Sequence, residues 1–148
     1  MNGFLNFDDG TIALTVNGSD RVFRFNPTDP AVYEGFMRLV TDAPRKMEEV
    51  AGKYKNTGIE NMERTERIQM ELKALHEADE VLRAAFDDTF GTGQSSIVYG
   101  TQNVAAVCKN GEYLFVNALM AIMPYFEKEG KKRSQKVRDI IKDHKPKK

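Results

Sequence analysis

Tryptophan is absent from this chain, cysteine occurs once and histidine twice. The lone Cys108 excludes an internal disulfide, so nothing in the sequence asks for an oxidising compartment. With one thiol and only His76 and His144, the four Cys or His ligands of a structural zinc centre are not on offer. No run of about 18 apolar residues occurs, which argues against a membrane-spanning helix. The opening MNGFLNFDDG lacks a basic segment followed by an apolar stretch, so no secretory signal is expected and a cytoplasmic protein is the economical reading.

What is present fits one soluble domain over residues 1–148, with 41% hydrophobic residues and balanced charge. The balance hides an asymmetry. Residues 131–148, KKRSQKVRDIIKDHKPKK, carry nine Lys/Arg against two Asp, or +7, which leaves 13 of the 22 basic and 20 of the 22 acidic residues elsewhere, or −7. A basic end on an acidic body can attract a polyanion, an acidic partner or its own surface.

Hydrophobic periodicity divides the chain into a β-hairpin element (1–26), a helical body (28–130) and a basic helical tail (131–148). TIALTV (11–16) and RVFRF (21–25) alternate apolar and polar side chains around NGSD, where Asn17 and Gly18 tolerate positive φ. GFLNF (3–7) has the composition of a third short strand. In NPTDPAVYEGF, Thr28 or Asp29 can cap a helix whose first turn holds Pro30. Phe36, Val40, Ala43, Met47, Val50 and Tyr54 then form one helical stripe, with a kink or break expected ahead of Pro44. NTGIEN (56–61) reads as a turn.

The segment ENMERTERIQMELKALHEADEVLRAAFDDTF gives the strongest helical pattern. Ile68, Leu72, Leu75, Leu82 and Phe86 share a stripe that Asp79 interrupts, and Glu60/Arg64 and Glu63/Arg67 are spaced as i,i+4 pairs. Two such helices joined by a short turn should fold back antiparallel. A third helix is expected from near Gly111, kinked at Pro124, with Val137, Ile140 and Ile141 on another short helix in the tail. The first part of that helix is apolar on more than one face: Leu114, Phe115, Leu119, Met120, Ile122, Met123 and Phe126 are the candidate partner-binding residues.

Chemical motifs fail one by one. FGTGQSSIVYG (90–100) is glycine-rich, but it follows a helix instead of a strand. It has no lysine for a Walker loop, and Ser96 stands where a dinucleotide loop needs glycine. Gly91 is better read as the left-handed residue that ends a helix at Phe90. His76 and Glu80 make half of a zinc-protease spacing without the second histidine, so His76 reads as a surface residue. Cys108 has no neighbouring base, and Asp87 with Asp88 at a helix end suggests a cap or turn. No catalytic residues, cofactor, metal or small-molecule substrate are expected.

The order of these pieces resembles the tail assembly chaperone-like proteins of siphophages and prophages of Gram-positive bacteria. The likeness is carried by an N-terminal hairpin leading into FNPTDPAVYEGFMRLV, a charged long helix, FDDTFGTGQSSIVYG, and a closing helix with MAIMPYFEKEGKKR. It implies a mainly helical α+β fold, the hairpin packed on a bundle of kinked helices. It also implies a non-enzymatic tail assembly factor, working in the host bacterial cytoplasm. Its partner would be a helical protein such as the tape-measure or another tail protein, with self-association as the other possibility. The alternative is a nucleic-acid-associated or general adaptor protein acting through the basic tail. That tail has no aromatic residues for base stacking, so nucleic acid is the lesser expectation.

Overall fold

The computed structural model describes residues 2–55, 58 and 61–143. Strands β1 (Ile12–Thr15) and β2 (Val22–Phe25) form the expected antiparallel hairpin, pairing Ile12 with Phe25 and Leu14 with Phe23. Asn17 and Gly18 turn the chain at φ 48° and 69°, the left-handed geometry that asparagine and glycine reach at least cost. Two strands alone are marginal in water. Here Phe23 meets Phe90 edge-on at 5.2 Å and Phe25 meets Phe126 at 5.4 Å, which ties the hairpin to the helices.

No strand forms from GFLNF. Asp8 and Asp9 take the amides of Gly10 and Thr11 in successive side-chain turns, both at 2.9 Å, and Gly10 adopts φ 87°. The chain bends there before it can join the ladder. Phe4, Leu5 and Phe7 are left exposed.

Helix α1 (Pro30–Lys55) begins as expected, and Asp29 supplies the cap by accepting the Ala31 amide at 2.9 Å. Of the kink or break expected at Pro44, no break occurs, and the helix continues through it. A proline costs an internal helix about 3 kcal/mol. Packing on both sides of it outweighs that, since Phe36, Leu39, Ala43 and Val50 are all buried. The turn expected over 56–61 falls mostly outside the described residues, as does Glu60 of the expected Glu60/Arg64 pair.

Helix α2 (Arg64–Phe90) starts with Glu63 at its N-cap and packs antiparallel on α1. Only the second half of its apolar stripe is core: Leu82 and Phe86 are buried, whereas Ile68, Leu72 and Leu75 are exposed. Gly91 ends the helix at φ 114° and ψ 155°, extended beyond the left-handed helical region, and Gly93 is the left-handed residue at φ 84° and ψ −6°.

The glycine-rich segment then forms a six-residue helix, α3 (Gln94–Tyr99), with Ser95 and Tyr99 buried. A short turn follows, closed by a bridge between Val107 and Tyr113. Helix α4 (Leu114–Asp143) begins there, three residues later than expected. Its first amides are not stranded: Leu114 donates to Ala106 O (2.8 Å) and Phe115 to Val104 O (2.9 Å). The basic tail is no separate helix, because α4 continues through Pro124 for 30 residues, about 45 Å at 1.5 Å per residue. The core is an aromatic cluster between hairpin and helices, centred on Phe36, Phe86, Phe90 and Phe126.

Candidate partner-binding groove

At one end of the body α1 and α4 are held close by aromatic rings. Phe126 stacks on Phe36 at 4.7 Å and on Tyr33 at 5.2 Å. Toward the other end they enclose an open groove of about 720 Å³. Val40, Ala43, Pro44 and Met47 form its α1 wall, Val116, Met120, Met123 and Pro124 its α4 wall, and Leu82 lies at its base. Three flexible thioethers line a largely apolar trough, a lining that repacks around different apolar side chains.

Both walls carry a helix-interior proline. Pro44 and Pro124 have no amide hydrogen, so the carbonyls of Val40 and Met120 lose the donor that an α-helix ordinarily gives them. All four residues line the groove. The rim is acidic, with Glu112 and Glu127. Apolar surface and rim carboxylates together suit an amphipathic segment with basic flanks.

The candidate residues on the closing helix separate into two sets. Phe115, Leu119, Ile122 and Phe126 are buried, and Leu114 is partly buried against the same core. Met120 is 65% exposed and Met123 half-buried, and both face the groove. Phe115 and Leu119 touch its inner surface from the core side. The α1 contribution, Val40, Pro44 and Met47, was not singled out as functional from sequence; the Pro44 anomaly in an otherwise regular stripe was the available signal.

Charged groups elsewhere are committed to structure. Asp79 accepts from Arg83 Nε at 3.0 and 3.1 Å and from the Val104 amide at 2.9 Å, while Arg83 Nη2 donates to Gly100 O and Gln102 O. The polar interruption in the α2 stripe thus anchors the loop that precedes α4. Asp87 accepts the Ser95 amide at 2.7 Å, so a side-chain carboxylate already caps α3. Glu77 bonds Lys53 and the Tyr54 hydroxyl. The hydrogen bond from Lys53 holds the Glu77 carboxyl below its ordinary range, and Glu77 in turn raises Lys53 and Tyr54. His76 is a surface residue 2.9 Å from Glu80. Among the described residues, no three His, Cys, Asp or Glu side chains cluster to hold a metal ion, and no helix is long and apolar enough to cross a membrane.

Along the tail, Arg133 is tied to the body. It donates to Thr28 O at 3.3 Å, and its guanidinium lies 5.9 Å from the Tyr33 ring centre. From Ser134 to Lys142 every residue is exposed, including Val137, Ile140 and Ile141. Residues 144–148, with His144 and three lysines, lie outside the described residues.

No protein-family pattern matches the chain, and no curated protein or solved structure matches it either. The functional reading therefore rests on the groove and on the sequence resemblance.

Proposed function

We propose that this protein is a non-enzymatic phage tail assembly factor of the tail assembly chaperone type. It binds an amphipathic helical segment of a partner such as the tape-measure protein in the groove between α1 and α4. The observation that carries the reading is the groove itself: about 720 Å³, largely apolar and methionine-lined, rimmed by Glu112 and Glu127. A helix laid in such a trough buries its apolar face and keeps its basic flanks beside the rim carboxylates. Long tape-measure helices need that kind of cover before they assemble.

The test is co-expression with the tape-measure protein of the same tail module, reading the soluble fraction of that partner. Wild-type chain should raise it. Met120→Glu/Met123→Glu, which places two carboxylates on the α4 wall, should abolish the gain while the variant itself stays folded. Equal solubilisation by both proteins would overturn the reading.

A further inference from the structure

We propose that the groove is occupied, before any other partner arrives, by the projecting α4 end of a second copy of this chain, so that two copies form an antiparallel α4–α4 dimer. The proposal rests on the reading of the groove as a helix acceptor and adds its first occupant.

Beyond Arg133, α4 extends ten residues, about 15 Å, with Val137 and Ile141 exposed at 50% and 55%. An apolar stripe on a solvated helix end needs a cover that the described residues of this body do not supply. The groove wall and the overhang also belong to one seam. Val116, Met120, Met123, Glu127, Gly130, Ser134, Val137 and Ile141 follow one another at alternating steps of four and three, the heptad spacing of a coiled coil. The seam is apolar at both ends and small or polar in the middle, which is the pattern expected when a helix packs against an inverted copy of itself.

Inversion about a two-fold axis near residues 128 and 129 sets the layers. Met120 faces Val137 of the second copy, Val116 faces Ile141, Met123 faces Ser134, and Glu127 faces Gly130. Each contact occurs twice because the interface is isologous. Gly130 has no Cβ, so Glu127 is accommodated at the crossing. Charge agrees with this register. Glu127 at the rim comes beside Lys131 of the second copy, and Glu112 lies toward the end that carries Lys142. In a parallel pair, Val116 and Met120 would meet their own copies, and each overhang would lie against the other overhang, basic on basic. The antiparallel arrangement alone seats each basic overhang in an acidic-rimmed groove.

Crosslinking and sedimentation of the full chain test this. In a Cys108→Ser background, Met120→Cys/Val137→Cys should give an interchain disulfide on mild oxidation, because one layer brings the two positions together. Met120→Cys/Lys132→Cys, whose second thiol is on the outer face, should give little. Without crosslinks, the wild type should sediment as a dimer, and Val137→Glu/Ile141→Glu should raise the dissociation constant roughly tenfold or more, since carboxylates would enter apolar layers. Both substituted residues are exposed in the single copy, so folding should survive. A wild-type monomer at all concentrations, equal crosslinking of the two thiol pairs, or a dimer indifferent to the glutamates would each overturn the proposal. A monomer that still solubilises the tape-measure protein would leave the proposed function standing. A dimer with this register that gives no such help would do the reverse.

Discussion

Asp79 and Arg83 form an ion pair, at 3.0 Å, that works across the fold as well as along α2. The carboxylate also takes the amide of Val104, a fully buried residue, and the guanidinium takes the carbonyls of Gly100 and Gln102. Removing the carboxylate would leave the Val104 amide without its acceptor and the partly buried Arg83 without its counter-charge. Asp79→Ala should therefore destabilise the protein by about 1–3 kcal/mol, whereas removing the exposed neighbour in Glu80→Ala should cost about 0.5 kcal/mol or less. Urea unfolding of the two variants checks the contrast.

Tyr99 carries a pH prediction. Burial pushes its phenol well above the ordinary value of 10.0, and its hydroxyl donates to Phe115 O at 3.2 Å. Because the folded value is raised, its stabilisation is complete below pH 10 and is lost as pH climbs from there toward the folded value. The unfolded chain ionises first. The loss attributable to this residue should approach about 1.4 kcal/mol per pH unit. Tyr99→Phe should start from lower stability at neutral pH and show a shallower alkaline decline than wild type. Denaturant midpoints measured from pH 8 to 11 test the difference in slope.

The two faces of α4 should respond differently to truncation. Phe126 is 1% exposed and stacks on Phe36, so Phe126→Ala should cost about 3–5 kcal/mol. Met120, on the groove wall, should tolerate alanine within about 0.5 kcal/mol. Thermal melts of the pair separate core from binding surface. A large loss at Met120 would mean that its side chain is structural.

Much of the fold was legible because it is local. The hairpin follows from Asn17 and Gly18 between alternating strands, and the α1 stripe from Phe36 to Tyr54 follows from helical spacing. The errors came where tertiary contacts decide. Pro44 carries a real local penalty, but buried neighbours on both sides keep α1 from breaking there, and α4 runs on into the basic tail as one helix. Ile68, Leu72 and Leu75 have core spacing, yet periodicity says which face is apolar and not how far the neighbouring helix reaches. Asp79 looked like a flaw in a stripe because its partner, Val104, is 25 residues away. The closing helix was recognisable as apolar all round, but the groove needed the α1 wall, which no local pattern joins to Met120.

Removing the tail separates protein docking from nucleic-acid binding. A chain ending at Gly130 loses the Arg133 bond to Thr28 and its contact with Tyr33, along with the exposed Val137 and Ile141. It should melt slightly lower and lose self-association, while its DNA affinity, weak from the start near physiological salt, should change little. Tight DNA binding in the full chain, falling with a log–log salt slope of roughly −0.9 per phosphate neutralised and vanishing on truncation, would favour the adaptor reading instead.

The groove can be watched directly through its methionines. Met47, Met120 and Met123 line it, and Met37, Met62 and Met70 do not. Methyl-labelled methionine spectra recorded while a helical segment of the tape-measure protein is titrated into the full chain read all of these positions at once. Binding in the groove predicts saturable shifts at Met47, Met120 and Met123, with Met37, Met62 and Met70 unmoved. Saturable binding that shifts the second set and leaves the first in place would contradict it.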